Sequence, residues 1–325
     1  MKLTLLILAL TSCAVLAATE EKTNRTFQTA PGGTLVVDVD FGSIAVSTNS
    51  TDAIAVQVWR KITRSSAGAE QKFLSENPVE FTQEGNTITI RSRPKTKSKF
   101  HWFSSSKNHN EAKYTVQIPA QFNCRLNTSG GDLEASNLTG EVNADTSGGG
   151  LRFVMLHGPV TGETSGGDID VSGCEGPMKI HTSGGNINVS DGVGSLTGDT
   201  SGGDVNVRTF KGPVSMHTSG GDLSIENVAG QIKGGTSGGS IHAVLLSPMS
   251  GDVNLSTSGG EVKVKVHPEA AFNLEAETSG GEVQCDLPVT MQGKLEKNRI
   301  KGAVNGGGPL LKLGTSGGDI FVEKS

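Results

Sequence analysis

Thr128-Ser129-Gly130-Gly131-Asp132 is the stretch whose reading decides the fold, because its Thr-Ser-Gly-Gly core occurs ten times. It returns at Thr146, Thr164, Thr182, Thr200, Thr218, Thr236, Thr257, Thr278 and Thr315, in steps of 18 residues six times, 21 twice and then 37. A phrase repeated at fixed spacing is not one active site. It is the corner of a repeating backbone.

With the threonine as position 1, the sixth residue is always apolar, from Leu133, Leu151 and Ile169 to Val283 and Ile320. The eighth is mostly apolar, as in Phe153, Val171 and Val207, and position 15 is Val142, Val160, Met178, Leu196, Val214 and Ile232 in the regular coils. Alternate residues of a strand share a face, so positions 6 and 8 point inward on one short strand. Positions 15, 17 and the next threonine do so on another. Glycines at positions 3, 4 and 13 are read as corners too tight for a Cβ. Thr128, Gly130, Gly131, Thr164, Gly166, Gly167, Thr200, Gly202 and Gly203 typify these corners.

One such unit cannot bury its apolar face alone, so neighbours must stack. The pattern predicts an all-β, single-stranded parallel β-solenoid of about ten coils, each 18–21 residues long. Residues 128–325 form it, and at about 4.8 Å per coil it is about 50 Å long. The threonines should face the core edge and hydrogen-bond along the stack. Pro248, Pro268 and Pro288 mark bulged corners in the irregular coils after Thr236. Arg299 to Gly314 reads as one further coil. Ile320 and Val322 then close the end, with Lys324 guarding the edge.

Residues 18–127 read differently, as a β-rich cap. Leu35, Val37 and Val39, then Ile44 and Val46, then Ile54, Val56 and Val58 alternate as strands do. Residues 65–77, stopped by Pro78, predict one short helix. Strands resume at Val79 to Thr82 and Thr87 to Arg91 around a Glu84-Gly85-Asn86 turn, and again at Tyr114, Val116 and Ile118. From Glu20 to Asn127 there are 14 Lys and Arg against 10 Asp and Glu, and from Thr128 onward 13 against 23. Residues 91–113 form a basic loop with Arg91, Arg93, Lys95, Lys97, Lys99 and Lys107 around Trp102 and Phe103. Cations beside aromatics suit an anionic polymer or a membrane surface. The bland alternative is a solvated loop whose aromatics fold back onto the sheet. Nucleic acid is disfavoured by the net charge of −5.

Met1-Lys2, an apolar run from Leu3 to Leu10 and a small-residue exit predict a signal peptide over 1–17. The rival is Leu10-Thr11-Ser12-Cys13 as a lipoprotein box with a lipid anchor at Cys13, although the residues after Cys13 remain apolar. Export permits disulfides, but Cys124, Cys174 and Cys285 fall at different phases of the repeat and read as free buried thiols.

The motifs that could carry chemistry are weak. Gly198-Asp199-Thr200-Ser201-Gly202-Gly203 looks like a nucleophile loop, but ten equivalent serines face no single matching histidine. His181 and His217 share a phase two coils apart, about 9.6 Å by strand spacing, too far to share a zinc. The fifth-position column of Asp132, Asp168, Asn186, Asp204, Asp222, Glu261, Glu282 and Asp319 could bind Ca²⁺ or cap the turns. Capping is the reading adopted, with no metal and no cofactor.

The Thr-Ser-Gly-Gly-Asp-Ile-x-Val coils resemble a family of exported bacterial β-solenoid domains labelled putative adhesins. The Glu84-Gly85-Asn86-Thr87-Ile88 hairpin and the ending from Asn305-Gly306-Gly307-Gly308-Pro309 to Asp319-Ile320 are similar too. The resemblance implies the solenoid fold and export, and it transfers no catalytic residues. The resulting expectation is a non-enzymatic exported scaffold or adhesion module at the cell envelope. Its partner would be an envelope polymer, a glycan or another surface protein. The alternatives are a polysaccharide-active β-helix enzyme and a calcium- or ice-binding solenoid.

Overall fold

A computed structural model describes residues 18–93, 108–291 and 296–325. Each regular coil contributes one short strand to each of two long sheets, of 14 and 15 strands. Phe122–Thr128 lies in the second sheet, the Thr-Ser-Gly-Gly corner turns the chain, Leu133–Ser136 lies in the first, and Val142–Thr146 returns to the second. Neighbouring coils pair in parallel and in register, Thr146 opposite both Thr128 and Thr164. The inward rows form one continuous core from Leu35 to Val322.

The core is size-matched along the stack. At position 17, Ala144, Gly162, Ile180, Gly198, Met216 and Gly234 alternate between small and large after the first pair. A Cβ on Gly198 would lie 2.8 Å from both the Ile180 and Met216 side chains, so those two fill the space the glycine leaves. Interiors packed to crystal-like density tolerate no such overlap.

Every corner threonine is buried and locked to the adjacent coil. Thr164 Oγ1 donates to Gly149 O at 2.7 Å, Thr182 to Gly167 O at 2.8 Å and Thr200 to Gly185 O at 2.8 Å. From Thr146 onward each hydroxyl also accepts from the position-4 glycine of its own corner, as Thr200 Oγ1 does from Gly203 N at 3.3 Å, while Thr128 Oγ1 accepts from Gly130 N at position 3. Both bonds satisfy groups that would otherwise be buried and unpaired.

The corner glycines divide into two classes. At position 4 a Cβ on Gly167 would lie 2.2 Å from Gly149 O, and at position 13 one on Gly158 would lie 2.4 Å from Gly140 O with φ at 140°. Position 3 is different from the sequence expectation. A Cβ on Gly166 would meet nothing nearer than 3.5 Å and one on Gly130 nothing within 4 Å, while on Gly259 and Gly280 it would come to 3.1 Å from a carbonyl oxygen. Position 10 supplies a corner the repeat alignment did not single out. Asn137, Met155, Gly173, Asp191, Thr209 and Asn227 all adopt left-handed backbone, with φ between 51° and 64°.

Both ends of the stack depart from sequence order. Leu310–Thr315 pairs with Val253–Ser256 on one side and with Phe272–Thr278 on the other. Ile320–Lys324 likewise lies between Val262–Val266 and Val283–Cys285. The last coil of the chain is therefore an internal rung, and Ile320 and Val322 do not close the end. That corrects the sequence expectation, as does Arg299–Val304, which is no coil strand but an antiparallel partner of Phe272–Thr278 and of Val289–Met291.

The N-terminal end mirrors this. Gly33–Val39 and Ser43–Asn49 form a rung between Phe122–Thr128 with Leu133–Ser136 and the outer pair Thr87–Ser92 with His109–Pro119. Beyond them the antiparallel strands Thr19–Gln28, Ala53–Thr63 and Glu80–Glu84 close the stack. The helix, Ala67–Glu76, is N-capped by Ser66, whose side chain accepts from Ala69 N. It ties down the first strand, because Glu70 accepts from both Thr19 N and Thr19 Oγ1. Arg60 is fully buried here, held by Glu21 and by Asn77 O at 2.6 Å.

Candidate functional site

The outward faces of the two sheets carry the side chains that the core does not use. On the first sheet, position 7 stacks in register as Arg152, Asp170, Asn188 and Asn206. Asn188 Nδ2 donates to Asp170 Oδ1 at 3.0 Å, and Asn206 Nδ2 donates to Asn188 Oδ1 at 3.1 Å. Beside that ladder, Ser190 Oγ donates to Ser172 Oγ at 3.3 Å. Arg152 stands at one end. Arg208 stands near the other, 3.7 Å from Glu226. These side chains line a groove of about 420 Å³. Each Asn amide still offers donor and acceptor capacity to a ligand.

The fifth-position column is used internally. Asp168 Oδ1 accepts from Asn186 N at 2.7 Å, Asn186 Oδ1 from Asp204 N at 2.8 Å, and Asp204 Oδ1 from Asp222 N at 2.8 Å. Each side chain caps the corner of the next coil, as an Asx residue caps a turn. Among the described residues no three His, Cys, Asp or Glu side chains gather to hold a metal ion.

The second sheet places Asp199 in register between His181 and His217. His181 Nδ1 lies 2.6 Å from Asp199 Oδ2. The sequence reading set the two histidines two coils apart, too far to share a zinc, and did not place Asp199 between them. The missed signal was the phase of Asp199, which is position 18 like both histidines.

Of the basic-loop residues, Lys95, Lys97, Lys99, Trp102, Phe103 and Lys107 lie outside the described residues. Strand structure also reaches into the expected loop span from both sides, through Ser92 and from His109. Arg91 and Arg93 both face Asp38, Arg91 at 3.7 Å and Arg93 through Nε to Oδ1. Arg93 also donates to Asn127 Oδ1 at 2.7 Å. Both guanidiniums therefore lie at the outer face of the second sheet, with Arg91 largely exposed.

The cysteines are free. Burial pushes the Cys124 thiol up to about 12 and raises those of Cys174 and Cys285. A raised thiol carries little thiolate and is a poor nucleophile.

A family model described as Toastrack DUF4097 matches residues 33–323. A comparison with curated proteins found no match. Among solved structures, the chain is similar to a putative cell adhesion protein from Clostridium sporogenes, with 11% identity over 95% of this chain and 100% of that one and a TM-score of 0.25. It is similar to a putative adhesin from Bacteroides fragilis, with 13% identity, 93% and 97% coverage and a TM-score of 0.34. It is also similar to a putative lipid binding protein from Parabacteroides distasonis, with 15% identity, 93% and 96% coverage and a TM-score of 0.33.

Proposed function

The chain belongs to the Toastrack DUF4097 family, and on that premise we propose that it is a non-catalytic binding scaffold exported to the cell envelope. The ligand it takes is a hydroxyl-rich polymer, an envelope polysaccharide, laid along the stack of the first sheet. The observation that carries this reading is the Asp170-Asn188-Asn206 ladder between Arg152 and Arg208. A carboxylate and two amides follow one another there at the strand spacing of about 4.8 Å. A surface that repeats along one axis engages a ligand that also repeats, through several equivalent contacts. Each contact is weak and their sum is not.

Export rests on the Met1–Ala17 signal pattern. Catalysis is disfavoured by the equivalence of the corner serines. Each is one of ten copies, and a nucleophile works through a base and an orienting group held against one copy alone.

Affinity electrophoresis through gels cast with dextran, xylan or alginate tests the reading. Wild type should be retarded by at least one polymer, and the Asn188→Ala, Asn206→Ala double variant should migrate freely. Both side chains point outward, so the variant should melt as wild type does. Equal retardation of the two proteins, or release of reducing sugar by either, would overturn the proposal.

A further inference from the structure

A second recognition surface lies at the N-terminal end of the first sheet. Three strands meet there, Thr19–Gln28, Ala53–Thr63 and His109–Pro119. The register sets Lys22 opposite Trp59 and Trp59 opposite Lys113, so the three residues form one row on the outward face. The next row on that face is Asn24, Gln57 and Thr115. These six side chains line a cleft of about 380 Å³.

The charges of this cleft are uncompensated. Both lysines are exposed, and neither has an acidic partner among the described residues. The neighbouring row on that face, Glu20, Lys61 and Glu111, carries two carboxylates about a third lysine. Glu20 lies 3.4 Å from Trp59 Nε1, and Glu111 pairs with His109 at 3.0 Å. The indole bond to Glu20 also fixes the ring. A fixed aromatic face with two free cations beside it and three neutral hydrogen-bonding groups below it has a specific complement. That complement needs an apolar face, an anionic group and hydroxyls on one small rigid body.

We infer that Lys22, Trp59 and Lys113 form a subsite for a carboxylate-bearing pyranose, the unit of an acidic polysaccharide. The sugar's C–H face stacks on Trp59, its carboxylate sits between the two ammonium groups, and its hydroxyls meet Asn24, Gln57 and Thr115. Trp and Tyr are suited to this because they bury a large apolar area while keeping a polar edge. The charge term makes the binding salt-sensitive. This subsite is independent of the Asn ladder, which lies several coils away and carries no lysine.

Titration of the whole chain with tetragalacturonate, followed by calorimetry, tests the inference. Binding should weaken at least tenfold with the methyl-esterified tetramer, in Trp59→Ala and in the Lys22→Gln, Lys113→Gln pair. Trp59→Phe, which keeps an aromatic face, should retain most of the affinity. Lys179→Gln, which removes an exposed lysine from the second sheet, should bind the tetramer as wild type does, which separates this subsite from a general charge effect. The lysine pair decides the matter if Trp59→Ala fails to fold, since both lysines are exposed. The inference is overturned by no binding of the tetramer, by equal binding of the ester, or by undiminished binding in the lysine pair. It is also overturned if inorganic phosphate competes as well as the tetramer, or if only phosphatidylglycerol vesicles bind.

Discussion

Gly166 and Gly167 are adjacent, chemically identical and predicted to respond oppositely to the same change. In Gly167→Ala the new Cβ would lie 2.2 Å from Gly149 O and 2.3 Å from its carbonyl carbon. A tolerable contact begins near 3.0 Å, so the two coils must part by about 0.8 Å at that corner. Two hydrogen bonds clasp them there, Thr164 Oγ1 to Gly149 O at 2.7 Å and Leu151 N to Asp168 O at 2.8 Å. Losing both costs about 2 kcal/mol at about 1 kcal/mol each. Overpacking against backbone adds about 1 kcal/mol or more. The expected loss is about 3 kcal/mol. In Gly166→Ala the nearest atom is 3.5 Å away, an ordinary contact. Restricting the unfolded chain there should stabilise by about 0.4–1 kcal/mol. Urea unfolding followed by circular dichroism gives the two midpoints, and amide exchange at Leu151 reports the corner itself. Equal midpoints for the two variants, or a larger loss in Gly166→Ala, would refute the corner geometry.

Thr200→Val keeps the shape of the side chain and removes the hydroxyl between Gly185 O and Gly203 N. It should cost about 1–3 kcal/mol and speed exchange of the Gly203 amide, and an unchanged midpoint would contradict the ladder role. Thr209 is exposed and β-branched at φ 52°, where its neighbours in the column are Asp191 and Asn227. Thr209→Asn should raise the urea midpoint by the equivalent of about 1 kcal/mol, and a lowered midpoint would deny the strain. Cys124 is protonated in the folded state up to about pH 12 and ionises near 9 when unfolded. The folded state then binds more protons than the unfolded one between those limits. Stability is therefore full below about 9 and falls as pH rises, by at most about 1.4 kcal/mol per pH unit from this group. Cys124→Ala should flatten that fall, and an identical slope would contradict the burial.

The repeat was readable because its period is written in residue type. Positions 6, 8, 15 and 17 face inward by strand alternation alone, and the threonine that precedes each Gly-Gly pair has only one place to go. The steric classes of glycine were less legible, since Gly166 and Gly167 look alike in sequence and differ only in what the adjacent coil presents. Position 10 was hidden because Met155 and Thr209 interrupt a column of Asn, Asp and Gly that otherwise signals left-handed backbone. Insertion of Leu310–Thr315 between two earlier coils was not legible at all. Identical corners pair equally well with any neighbour, so the repeat does not encode the order of its rungs. The Lys22-Trp59-Lys113 row needed the antiparallel register of strands far apart in the chain. The sequence drew attention to the basic stretch 91–113 instead, which contains Lys113 but neither Lys22 nor Trp59.

Footprinting on the wild-type chain with and without a retained polysaccharide tests the central claim most directly. Radical labelling read by mass spectrometry should lose intensity along the outward residues of 152–208 on the first sheet. The opposite sheet, including His181, Asp199 and His217, should label as it does in the free protein. Protection confined to the second sheet, or spread evenly over both, would contradict the assignment of the ladder as the binding face.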